Sequence, residues 1–90
     1  MKKGIITVLG KDRVGIMAKV CTYLAEKEIN ILEINQTIVS DYFNMMMVVD
    51  LSNSKSDFAT SVDDLDAIGQ EIGVVIKLQL EDIFNKMHRI

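Results

Sequence analysis

The spacing of apolar positions along this chain switches repeatedly between the short period of a strand and the longer period of a helix, and each switch marks an element. Residues 4–9 are apolar on both alternating faces, which predicts a central strand. Ile16, Met17, Val20, Cys21 and Leu24 then recur at helical spacing with Lys19, Thr22, Glu26 and Lys27 on the other side, so a helix is expected from about residue 16 to residue 28. Residues 29–39 read as a second strand, more polar in its middle as an edge strand can be. Residues 40–42 carry turn chemistry, and residues 43–51 return as a third strand in hairpin register, its methionines in the core. A polar stretch, residues 52–56, precedes a second helix whose buried stripe is Phe58, Val62, Leu65, Ile68 and Ile72, with Asp57 suited to its first turn and Gly73 to its end. Residues 74–80 alternate as a fourth strand, again an edge. Residues 81–90 form a short amphipathic helix with Ile83, Phe84, Met87 and Ile90 on its apolar face.

Strand, helix, strand, strand, helix, strand is the α+β split-βαβ order, a ferredoxin-like βαββαβ sandwich. Right-handed crossovers give a four-stranded antiparallel sheet of order 4-1-3-2 with two helices on one face. Residues 1–80 are then one domain, and residues 81–90 are a helical extension of it. Since both central strands are apolar on both faces, the uncovered face is expected to show water residues such as Ile5, Leu9, Met46 and Val48, or their alternates. A patch of that size marks an interface, so the chain is expected to form a homo-oligomer, most simply a homodimer.

Composition narrows the function. No run reaches the roughly 18 apolar residues of a membrane span, and the start carries no small-residue cleavage site, so a cytoplasmic protein without a membrane partner is expected. A net charge of −3 without a basic cluster argues against nucleic acid. Cys21 and His88 are the only residues of their types, which leaves no disulfide, no thiolate pair and no two-histidine metal site or triad. Asp63, Asp64 and Asp66 lack the surrounding pattern of a calcium loop and read as a solvated helix face. Neither a metal nor another cofactor is expected.

The stretch with candidate chemistry is Gly10-Lys11-Asp12-Arg13-Val14-Gly15, between the first strand and the first helix. Its glycines permit a sharp turn, and the helix behind them presents unpaired N–H groups that favour a carboxylate or another small anion. Asp12 is placed to cap that helix. The G-x-x-x-x-G spacing of a phosphate loop is present, but Ile16 and Met17 stand where Lys and then Ser or Thr would be needed, and G-x-G-x-x-G is absent. The same spacing also suits a plain strand-to-helix turn. A copper-carrying domain of this topology would need cysteines in the loop, and an RNA-binding one aromatics on the first strand; both are missing. An acylphosphatase-like hydrolase could draw on Arg13 with Asn30 or Asn35, although no residue is arranged to activate water.

The loop with Ile16 behind it, and Glu28-Ile29-Asn30-Ile31 one helix later, resembles the ACT domain family, in which the loop reads G-x-D/N-R-P-G followed by Ile, Val or Leu and the second strand begins Asn-Ile. The resemblance covers the whole chain. It implies a regulatory, amino-acid-sensing domain rather than an enzyme, with ligand held between the first loop and a neighbouring subunit. By position, Gly10, Lys11, Asp12, Arg13, Val14 and Gly15 would frame the pocket, and Asn30 with Ile31 would reach in from the second strand. Helix N–H groups would take the ligand carboxylate, while Asp12 and the Asn30 carbonyl would accept from its ammonium. For each, a structural role is the alternative: Asp12 as a cap, Arg13 as a solvated charge, Asn30 as a strand start. Val14 replaces the family's usual Pro, which loosens the loop. The chain is most similar to small stand-alone ACT proteins and to the ACT segments of formyltetrahydrofolate deformylase and the glycine cleavage system repressor. That similarity makes glycine or a related small amino acid the first ligand to test. A protein–protein interaction module, acting through the open sheet face or the C-terminal helix, is the alternative.

Overall fold

A computed structural model describes residues 1–11 and 14–87 of the chain. The elements in order are β1 (Lys3–Lys11), α1 (Ile16–Glu26), β2 (Asn30–Val39), β3 (Tyr42–Asp50), α2 (Phe58–Ile72), β4 (Val74–Leu80) and α3 (Glu81–Met87). The four strands form one antiparallel sheet of order β2-β3-β1-β4, as the sequence predicts. Asp12, Arg13, His88, Arg89 and Ile90 lie outside the described residues, and with them the expected cap at Asp12 and the end of the expected tail helix.

Residues that alternate along the strands divide the sheet into two faces. Ile6 and Val8, Phe43, Met45, Met47 and Val49, and Val74, Ile76 and Leu78 point to one side, where Ile16, Val20, Tyr23 and Leu24 of α1 and Leu65 of α2 close over them. This single cluster is the hydrophobic core. The line of α2 lying deepest is Ser61, Leu65 and Gly69, while the expected Phe58, Val62, Ile68 and Ile72 flank it half-buried. Small residues explain the shift: a Cβ at Gly69 would come within 2.6 Å of the Val74 carbonyl oxygen, so the helix backbone rests directly on β4.

Helix ends follow local chemistry. Asp57 is the N-cap of α2, its Oδ1 accepting from the Thr60 backbone N–H at 2.7 Å, and Gly73 closes the helix in the left-handed conformation at φ 79°. Helix α1 stops at Glu26, earlier than expected, because Glu28 takes a positive φ of 57° and turns the chain into β2. Gly10 and Lys11, expected in a loop, extend β1, where they pair with Phe43 and Tyr42 of β3. Tyr42 is likewise strand rather than turn, since Ser40 and Asp41 suffice to connect the hairpin with Ser40 at φ 56°.

The other face of the sheet is only partly bare. Leu9 and Met46 are 55% and 43% exposed, as expected, and Val48 is half-buried. Ile5, expected to show water, is 5% exposed although it lies outside the core cluster. Helix α3 accounts for this correction, because it turns back beside β1 and β4, the strand that carries Ile5 and the neighbour that pairs with it. Phe84 of α3 is half-buried, whereas Ile83, assigned to the same apolar face, is half exposed.

Candidate functional site

The loop end of the sheet is built by β1, the hairpin and the start of α1. Gly15 is the N-cap of α1 at φ 94°, in a conformation that favours glycine, and among the described residues no side chain caps the helix. The first intrahelical bond runs from the Lys19 N–H to the Gly15 carbonyl, so the N–H groups of Ile16, Met17 and Ala18 have no partner within the helix. No acidic residue stands in the first turn, and a Cβ at Gly15 would meet nothing within 4 Å. Among the described residues the helix start is positive and open.

Gly10 has a different reason to be glycine. A Cβ there would lie 2.7 Å from Val74 Cγ1 and 3.0 Å from Val74 Cα, so it is required by the approach of β4 rather than by a turn. Lys11 turns onto the open sheet face, its Nζ 5.3 Å from the centre of the Tyr42 ring. Val14 is fully exposed.

Asn30 and Ile31 stand at the opposite end of the sheet. Asn30 pairs with Asp50, which pairs with Lys3, seven strand positions from Gly10. At the rise of an antiparallel strand that is about 24 Å. Ile31 is half-buried beside Val49. Within one chain the structure thus brings Gly10, Lys11, Val14 and Gly15 together and holds Asn30 and Ile31 apart from them.

Between the two groups runs β2. None of its ten residues is buried, and its outer edge has no neighbouring strand in the sheet. Leu32, Ile34, Ile38 and Val39 are exposed along it. A bulge between Ile31 and Glu33 resets the register, so Ile31, Ile34 and Ile38 all face the helix side although their spacing does not alternate. Reading for alternation alone passed over this apolar edge; its three isoleucines on either side of the bulge were the available signal.

Beside Gly15, a groove of about 360 Å³ runs between α1 and α2 past Ala18, Lys19, Thr22 and Tyr23. Tyr23 donates its hydroxyl hydrogen to Asp64 Oδ2 at 2.7 Å. Burial first and the Asp64 bond second push its pKa up to about 12, against the opposing pull of the Ser61 and Ser56 hydroxyls. Tyr23 stays neutral across the physiological range and serves as a cross-helix tie rather than an acid or base. Among the described residues no group of His, Cys, Asp and Glu could hold a metal ion, and no helix is long and apolar enough to cross a membrane.

Comparison with known proteins gives one consistent answer. The sequence model of the ACT domain matches residues 4–79. A UPF0237 protein of Bifidobacterium longum is 56% identical over the full length of both chains. Among solved structures, an ACT domain protein from Streptococcus pneumoniae superposes with a TM-score of 0.81 at 44% identity, covering 92% of this chain and 93% of that one. A formyltetrahydrofolate deformylase from Pseudomonas syringae pv. tomato superposes with a TM-score of 0.82 at 23% identity over 89% of this chain but 28% of its own, which is a likeness of fold.

Proposed function

The chain belongs to the ACT domain family, and on that premise we propose that it is a regulatory module, not an enzyme, which senses an amino acid at a homodimer interface. Domains of this family are in general regulatory ligand-binding modules. The observation that carries the reading is the separation of the two halves of the candidate site along a sheet whose β2 edge is bare.

A long apolar edge strand without Pro or Lys is a template for another strand. If two copies pair their β2 edges antiparallel about Asn35, with the bulge between Ile31 and Glu33 taking up one residue, Asn30 of a second copy comes beside Val39. Val39 pairs with Tyr42, and Tyr42 with Lys11, so that row leads directly to the loop. A two-fold axis repeats the arrangement at the other end. Each site then takes Gly10, Asp12, Arg13 and Gly15 from one chain and Asn30 from the other. The N–H groups at the start of α1 receive the carboxylate, and the Asn30 carbonyl accepts from the ammonium.

The test is thermal unfolding against a panel of amino acids, with glycine first. A ligand at about 100 times its Kd adds about 2.7 kcal/mol, which moves the midpoint of a domain this size by more than roughly 10 °C. A selective shift that disappears in Asn30→Ala is the expected result. A flat panel contradicts the reading and leaves a protein–protein interaction module.

A further inference from the structure

We propose that the open sheet face carries a second binding site, formed by Thr7, Asn35, Thr37 and Asn44 around Met46, which takes an uncharged nitrogen heterocycle of the nucleobase type. These five residues line a depression of about 240 Å³. Strand register puts them together: Thr37 lies opposite Asn44 on β2 and β3, and Asn35, Met46 and Thr7 form the next row across β2, β3 and β1. All five come from one chain, so the site does not depend on the dimer proposed above.

Three features set it apart from an ordinary wet surface. Asn is depleted in strands, yet Asn35 and Asn44 stand mid-strand, Asn44 on a central one. Neither they nor the two threonines spend their side chains on the fold, since no hydrogen bond among the described residues engages those groups. The surround is mixed: Leu9, which pairs with Asn44 on one side and Val75 on the other, is exposed as Val75 is, while Lys77 pairs with Thr7 and Glu33 stands two positions from Asn35. A few convergent polar groups beside apolar side chains are a usual composition of a small-molecule site.

Chemistry selects the ligand. The five residues that line the depression are uncharged, so the hydrogen bonds it offers come from carboxamides and hydroxyls. Each carboxamide offers a donor and an acceptor in one plane, matching the paired donor and acceptor on the edge of a base. Met46 supplies a polarizable surface for the ring. The volume lies below the usual range for drug-sized ligands and suits one ring system rather than a dinucleotide. The net charge of −3 favours a free base or nucleoside over a base within a nucleic acid strand.

The experiment is an amide NMR titration of the full chain with adenosine, guanosine, cytidine and uridine in turn, and with a single-stranded oligonucleotide as a separate arm. Saturable shifts of the Asn35 and Asn44 side-chain amides with at least one nucleoside are expected. Asn44→Thr and Asn35→Thr, both exposed positions given a strand-favouring residue, each weaken that binding about fivefold or more, whereas Asn30→Ala leaves it intact. Absence of shifts with all four nucleosides overturns the proposal. So does binding confined to the oligonucleotide with steep salt dependence, which would mean phosphate recognition. Movement of the same amides on simple dilution, unaffected by nucleoside, also overturns it, because the face would then be occupied by a second copy.

Discussion

The two edges of the sheet hold the same topological position and are finished differently. On β4, Val74, Ile76 and Leu78 are buried beneath α2, and the strand alternates strictly. On β2 nothing is buried, although the strand is longer and carries Ile31, Ile34 and Ile38 toward the helix side. Two helices roof the inner strands and β4, and the roof ends before β2. One edge is complete within the monomer. The other has apolar side chains and ladder groups with no neighbour, and in the proposed dimer a second copy supplies both.

That contrast can be broken in order of size. Leu65→Ala, beneath the roof at 0% exposure, should cost about 2–5 kcal/mol in urea unfolding, while Ile34→Ala should cost less than about 0.5 kcal/mol when measured at concentrations where the chain is monomeric. Equal costs would show that β2 is packed after all. Ile34→Lys places a charge on the bare edge and should convert the dimer to monomer in sedimentation analysis, abolishing the amino-acid response with it. An unchanged dimer would move the interface elsewhere.

Smaller effects report on the roof itself. The Thr60 hydroxyl and backbone N–H hold the Asp57 carboxyl below the usual carboxylate range. Its contribution is therefore present above the unfolded pKa and disappears as pH falls through the lower folded one. Asp57→Ala should lower the midpoint by roughly 4–8 °C at neutral pH, a deficit that shrinks as pH falls below the ordinary carboxylate range. Tyr23 has the opposite sign. With its pKa raised from 10.0 to about 12, its contribution is complete below pH 10 and declines through that interval, so wild type should lose more stability than Tyr23→Phe on going from pH 10 to pH 12. Parallel curves would mean that the bond to Asp64 is not retained in solution.

Element order, sheet order and the core were legible because periodicity reports burial directly, as in Ile6 and Val8 of β1 or Met45, Met47 and Val49 of β3. Positions governed by approach distance were less so. Gly10 looked like a turn and is a strand residue opposite Val74; Ser61 and Gly69 looked incidental and form the line on which α2 rests. Ile5 was expected at the surface because the cover given by α3 depends on where that helix folds back, which no local pattern encodes. At the site, the turn into α1 at Gly15 was legible in the loop sequence. The distance between Asn30 and the loop follows only from register, and the proposed second chain rests on that distance.

The most direct measurement is subunit complementation. Asp12→Ala and Asn30→Ala chains, each unresponsive alone, are unfolded together in equal amounts and refolded, and the number of amino-acid sites is counted by calorimetry. Random pairing makes half of the dimers mixed, each with one intact site, so about a quarter of the wild-type sites should return. No recovery, or full binding by Asn30→Ala alone, would contradict a site shared between two chains.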